Sequence, residues 1–168
     1  MTGQFRIELL SSEYNRASFS CGVDALDRYL REQASQDMRR RVASCYVALE
    51  NEQDSIVGYY TLAAAGVALS DLPDAITKKL PRYPSVPVAI LGRLAVDVTF
   101  QGRKLGAALL GNAIQRSLRS EIAVSGVVVT AKDAQAEAFY RYHDFLHFGN
   151  NPRQLILSLS SYRPAVSP

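Results

Sequence analysis

The sequence predicts an α/β protein: a mixed central sheet of about six to seven strands with flanking helices, folded as one domain over residues 1–168. Three observations carry that expectation. Strand-like and helix-like periodicities alternate along the chain; Leu91 to Leu110, LGRLAVDVTFQGRKLGAALL, passes from an apolar strand through a Gly-bearing basic loop into an amphipathic helix; and Ser125 to Thr130, SGVVVT, is a continuous apolar run of the kind a buried central strand needs.

The elements follow in order. Phe5 to Leu10 reads as a first strand. Asp24 is the expected N-cap of a helix in which Leu26, Leu30, Ala34 and Met38 form one apolar stripe. Ser44 to Leu49 and Ser55 to Leu62 are strands joined across the polar turn at Glu50 to Asp54, as an antiparallel hairpin would be. Between Leu69 and Pro87 four prolines surround a short helical stretch, Ala75 to Leu80, and proline's missing ladder donor predicts a loop outside the sheet. Val88 to Asp97 is a strand, Leu105 to Arg119 a helix, Ser125 to Thr130 the buried strand. Asp133 caps a helix running through His143, and strands at Phe145 to Phe148 and Gln154 to Ser160 complete the set.

Composition narrows the class. A chain of 168 residues with 48% hydrophobic content can bury a real core. Its longest apolar tract, Tyr59 to Leu69, is too short to cross a bilayer, and no signal peptide is visible, so a cytoplasmic protein without membrane association is expected. Cys21 and Cys45 have no metal-like spacing and read as reduced thiols; the two histidines, His143 and His147, suggest no metal site either. The net charge is +3, but cations gather in groups at Arg39-Arg40-Arg41, Lys78-Lys79 with Arg82, Arg103-Lys104, and Arg116 with Arg119. Each group alone fits a solvated surface; brought together on one face they would attract an RNA backbone.

The strand-loop-helix carries the first chemistry. First-turn N–H groups of a helix lack helical acceptors and carry partial positive charge, so a diphosphate satisfies both needs. Gly102 and Gly106 allow close approach of the backbone, and Arg103 and Lys104 add cations. An ordinary strand-to-helix turn with surface cations fits the loop alone equally well. Gln101-Gly102-Arg103-Lys104-Leu105-Gly106 resembles the coenzyme A signature of the GNAT acetyltransferases: Gln or Arg, two residues, Gly, one residue, then Gly or Ala. Lys104 departs from it, standing where the family has its first motif Gly. If that place needs a positive φ, the side chain costs roughly 1 kcal/mol, while its ammonium can pair with phosphate, so affinity should change, with either sign open.

Further stretches sharpen the resemblance. AKDAQAEAFYRYHDF, Ala131 to Phe145, resembles the segment in which this superfamily's catalytic Tyr sits. FSCGVDALDRYLREQASQD (Phe19 to Asp37), GYYTLAAAGV (Gly58 to Val67) and LGRLAVD (Leu91 to Asp97) resemble the branch of GNAT toxins from type II toxin-antitoxin modules. The resemblance implies a GNAT fold, acetyl-CoA as donor, and acetylation of the α-amino group of aminoacyl-tRNA, which blocks translation. It implies a cognate ribbon-helix-helix antitoxin and a homodimer. Tyr140 would be the acid that protonates the departing thiolate, with Tyr142 pointing elsewhere. Because Ala136, Phe139, Tyr140 and His143 share a helical face, spacing alone would make Tyr140 core. The donor-binding residues implied are Leu94, Ala95, Val96, Gln101, Gly102, Arg103, Lys104, Leu105, Gly106 and Ala107; on the substrate side stand Arg93, Arg39, Arg40, Arg41, Lys78 and Lys79.

Val88 to Val96 contains no carboxylate, so no general base is evident there. An α-amino group titrates near about 8, against about 10.4 for a lysine side chain, and an ester lowers the former further, which suits a base-free site. A GNAT acting on a small amine or protein N-terminus, and a catalytically silent coenzyme A or RNA-binding module, are the alternatives.

Overall fold

The structure, a computed structural model, describes residues 5–160 and 162. It contains β1 (Phe5–Leu9), α1 (Asp24–Arg28), a π-helical turn (Tyr29–Gln33), α2 (Ala34–Arg39), β2 (Ser44–Glu50), β3 (Ile56–Ala68), α3 (Asp74–Thr77), β4 (Ser85–Val96), α4 (Leu105–Leu118), β5 (Gly126–Thr130), α5 (Ala134–Tyr142), β6 (Leu146–His147) and β7 (Gln154–Ser158). The strands form a seven-stranded sheet in the order β1-β2-β3-β4-β5-β7-β6, the α/β architecture the sequence predicts. Two compact units share it: one built from residues up to 63 with 91–116, the other from 64–90 with 117 onward.

In the first unit, β1 pairs antiparallel with β2, and β2 with β3, as the hairpin pattern requires. The Leu26, Leu30, Ala34, Met38 stripe is spaced by four, which overshoots an α-helical turn of about 3.6 residues at every step. The π turn absorbs that excess: the Ala34 amide donates to Tyr29 O, five residues back. Leu30 and Ala34 are consequently fully buried with Phe19, Tyr29, Cys45, Val47 and Tyr59, and Leu26 and Met38 pack against them. Both cysteines are buried and in no disulfide. Asp24 is not the N-cap. Val23 holds that place without a side-chain bond, and Asp24, in the first turn, pairs with Arg28 at 2.8 Å. Asp27 supplies the anchoring carboxylate, accepting from the Cys21 amide at 2.9 Å, because the chain reverses at Gly22, whose φ is +91°.

The second unit has its own apolar cluster, Leu72, Ile76, Val86, Val88, Val128, Phe148 and Ile156. Strand β5 is buried along Gly126 to Val129 and pairs antiparallel with β7, confirming a central strand. Pro87 lies inside β4 rather than in the loop expected from its missing donor. Its carbonyl still accepts from the Ser125 amide at 2.8 Å, so the strand loses one donor at an exposed position and keeps the acceptor. Strand β3 likewise runs on to Ala68, beyond the predicted Leu62.

Candidate active site

In the first unit β4 delivers the chain into the glycine loop. At its end Asp97 is nearly buried, and its two oxygens are fully used: Oδ2 accepts from the Ser20 amide (3.0 Å), Oδ1 from the Thr99 amide (3.0 Å) and hydroxyl (2.8 Å). Burial pushes this carboxyl up, but the bonds from the Thr99 amide, the Ser20 amide and the Thr99 hydroxyl outweigh it, leaving Asp97 below the ordinary carboxylate value. A carboxylate so occupied is no general base. The Gln101 amide group donates to Cys21 O at 3.1 Å and Val96 O at 3.0 Å, and the Val98 amide donates to Ser20 O at 2.8 Å. The loop is thereby pinned to the segment Ser20–Cys21, which sequence reading had not linked to it. No local signal could, since Gln101 and Cys21 stand eighty residues apart.

Lys104 has a φ of +64° and Gly102 of +80°. The place where the signature expects glycine therefore does require the left-handed region, and Lys104 carries the steric cost of about 1 kcal/mol. A Cβ on Gly102 would meet nothing within 4 Å, so space lies open over the loop. Helical bonding begins as the Ala108 amide donates to Lys104 O, which leaves the first-turn amides of Leu105, Gly106 and Ala107 directed out of the helix end. Successive amides around a left-handed residue form an anion-binding concavity. With Arg103 and Lys104 exposed beside them and Asp97 occupied by Ser20 and Thr99, these residues fit a diphosphate. Of the strand residues assigned to the donor's arm, Ala95 is buried, while Leu94 and Val96 are partly exposed.

Arg93 projects from β4 with its guanidinium 3.5 Å from the centre of the Tyr29 ring, and the Tyr29 hydroxyl donates to Asp37 at 2.7 Å. Gln33 also donates to Asp37 (2.9 Å), and these two bonds hold the Asp37 carboxyl below its ordinary value. The half-buried Arg93 thus stacks on an aromatic floor with a carboxylate close by. Arg39, Arg40 and Arg41 are exposed at the end of α2; Lys78 and Lys79 are exposed just after α3 in the second unit. Arg116, by contrast, is a structural cation: it donates to Asn112 at 2.9 Å and lies over Tyr46 at 4.2 Å.

In the second unit α5 presents Tyr140. Asp133 caps the helix, accepting from the Ala136 amide at 2.8 Å as predicted. The helix ends when the amides of His143 and Phe145 both reach Tyr140 O, with Asp144 at φ +73°, and this reversal brings Phe145 within 5.5 Å of the Tyr140 ring. Phe139 contacts the same ring edge-on at 5.3 Å. Tyr140 is buried and Tyr142 is 83% exposed, so the two phenols do point apart. Three other tyrosines are buried, and each donates its hydroxyl: Tyr29 to Asp37, Tyr59 to Leu26 O (2.6 Å), Tyr60 to Asn112 (2.6 Å). The Tyr140 hydroxyl has no hydrogen-bond partner among the described residues. Burial alone pushes its phenol up to about 12. His147 pairs with Glu137 at 3.0 Å, and no group of three or more metal-ligating side chains exists among the described residues. No helix among them is long and apolar enough to cross a membrane.

A glycine loop with geometry fit for a diphosphate, opening α4 within this seven-stranded sheet, is the arrangement of a GNAT-type acyltransferase. The Acetyltransferase (GNAT) family profile matches residues 7–145, and the chain belongs to that family. It is 34% identical over 168 residues to the tRNA-acetylating toxin of Mycobacterium tuberculosis (strain ATCC 25618 / H37Rv), covering 99% of each chain. Among solved structures it resembles AtaT complexed with acetyl-methionyl-tRNAfMet, with a TM-score of 0.84, 30% identity, and 94% of this chain and 96% of that one covered. It also resembles a tyrosine-to-phenylalanine mutant of the AtaT toxin bound to the C-terminus of the antitoxin AtaR and acetyl-CoA, with a TM-score of 0.76, 26% identity, and 94% and 95% covered.

Proposed function

We propose that this protein is the toxin of a type II toxin-antitoxin system and transfers acetyl from acetyl-CoA to the α-amino group of aminoacyl-tRNA, stopping translation. The observation that carries this reading is identity of 34% across 99% of both chains with a tRNA-acetylating toxin. Acetyl-CoA supplies a thioester whose acetyl carbon accepts the amine and whose sulfur leaves as thiolate. The first-turn amides of Leu105, Gly106 and Ala107, with Gln101 to Lys104, hold the donor's diphosphate, and Leu94 to Val96 line its pantetheine arm.

Tyr140 holds the proton that the leaving sulfur needs. Its phenol, pushed up to about 12, stays neutral at physiological pH, and its hydroxyl is not committed to any described protein acceptor. With Asp97 consumed by Ser20 and Thr99, the amine relies on its own acidity, which an aminoacyl ester provides. Arg93, Arg39, Arg40, Arg41, Lys78 and Lys79 serve the tRNA side, where each phosphate contact would steepen the dependence of binding on salt.

The partners inferred with this activity are a ribbon-helix-helix antitoxin and a second copy of the chain, in the cytoplasm; light scattering on the purified protein tests the dimer. Labelled acetyl-CoA incubated with total charged tRNA tests the activity. Label on the aminoacyl moiety is expected; label found only on free amines or protein N-termini contradicts the reading.

A further inference from the structure

Lys104 is the feature of the donor loop that neither the signature nor ordinary helix geometry explains. Among the described residues, four other than glycine have positive φ: Arg41, Glu52, Lys104 and Asp144. Arg41 and Asp144 follow the C-caps of α2 and α5, and Glu52 lies in the β2–β3 turn, all places where a left-handed residue ends an element. Lys104 instead opens a helix, where the flanking residue ordinarily adopts the extended region. The strain there is therefore not the cost of terminating a helix. Backbone strain of this kind concentrates where the surrounding structure uses it.

The side chain that bears the strain is also uncommitted. The Arg103 guanidinium lies 4.8 Å from the centre of the Phe100 ring, whereas the Lys104 ammonium makes no ion pair or hydrogen bond among the described residues. Lys104 is exposed, and the neighbouring Gly102 leaves open space. We infer that Lys104 is a donor-affinity determinant: its ammonium pairs with a phosphate of coenzyme A, and the fold gives up stability to present it from a position that glycine would occupy without strain. This rests on the reading of Gln101 to Ala107 as the donor cradle and fixes the sign that the sequence left open.

Two variants separate charge from strain. Lys104→Gln removes the cation and keeps the left-handed side chain; Lys104→Gly removes both. Calorimetric titration of each apo protein with coenzyme A should show Kd about 5-fold weaker than wild type in both variants. Thermal unfolding without ligand should show an unchanged Tm for Lys104→Gln and a rise of about 2 °C for Lys104→Gly. The wild-type Kd should weaken with added salt more steeply than that of Lys104→Gln. Dephospho-coenzyme A distinguishes the two phosphate sources: if the gap between wild type and Lys104→Gln persists, the diphosphate is the partner, and if it closes, the 3′-phosphate is. Equal Kd values for wild type and Lys104→Gln would overturn the inference while leaving the cradle standing. A Lys104→Gly Tm at or below wild type would overturn its stability half. A wild type that binds no coenzyme A, in a protein that still unfolds cooperatively, removes the cradle and this inference with it.

Discussion

The buried tyrosines of the two compact units behave differently. In the first unit Tyr29, Tyr59 and Tyr60 each donate their hydroxyl to a protein acceptor, and burial raises all three phenols well above the ordinary tyrosine value. In the second, Tyr140 is buried to the same degree as Tyr29, but its hydroxyl has no such acceptor among the described residues. The hydroxyl is not sealed in the core: among the described residues the one buried side-chain polar atom without a partner is Nη1 of Arg153. The contrast separates phenols bonded within the fold from one whose hydroxyl makes no bond to a described residue, although all four rings sit at core positions of their elements.

The sharpest way to break that distinction is to delete the hydroxyls one at a time. Tyr140→Phe should lower kcat for acetyl transfer by at least about 100-fold, with the coenzyme A Kd unchanged, as expected for a group that acts only in the transition state. Its Tm should stay within about 1 °C of wild type, because no protein bond is lost. Tyr60→Phe should do the reverse. Loss of the 2.6 Å bond to Asn112 should cost about 1 kcal/mol in denaturant unfolding and leave kcat within about twofold. If Tyr60→Phe loses turnover as Tyr140→Phe does, the two classes are not distinct.

Asp97 extends the comparison to the donor loop. Asp97→Ala leaves the Ser20 and Thr99 amides without their acceptor and should cost about 2–3 kcal/mol, measurable by urea unfolding. It should also weaken coenzyme A binding, since the loop is released from Ser20. Because the folded carboxyl lies below its ordinary value, its contribution is present above about pH 4 and disappears as pH falls through the folded value. The raised groups work in the opposite direction. Tyr140 and Cys45, both pushed up to about 12 by burial, favour the folded state fully below the ordinary phenol and thiol values, and that stability is lost as pH rises toward 12. Melting curves across both ranges check the two signs.

An effect as small as that of Tyr60→Phe should come at Gly102. Its Cβ direction is open, so Gly102→Ala meets only the positive φ and should cost about 1 kcal/mol. A cost several times larger would mean that the loop is more tightly enclosed than its geometry indicates.

Much of this was legible in the residues. The seven strands, the Asp133 cap and the helix opening at Leu105 follow from periodicity and capping chemistry, because those signals lie within a few residues of one another. Asp24 and Asp27 both suit a first turn, and only the reversal at Gly22 decides which carboxylate meets the chain. At Pro87 the missing donor is visible in sequence, whereas the surviving acceptor bond to Ser125, which keeps the residue in β4, is not. In the candidate site, the motif located the loop and the Tyr140 helix, but the Asp97 and Gln101 bonds to Ser20 and Cys21 span about eighty residues and have no local signature. The spare hydroxyl of Tyr140 was equally hidden, since periodicity assigns faces and says nothing of partners.

A crystal structure of the protein with coenzyme A tests the central claim most directly. The account predicts the diphosphate within hydrogen-bonding distance of the amides of Leu105, Gly106 and Ala107, and the thiol within reach of the Tyr140 hydroxyl. A diphosphate bound elsewhere, or a Tyr140 hydroxyl directed away from the sulfur, would contradict it.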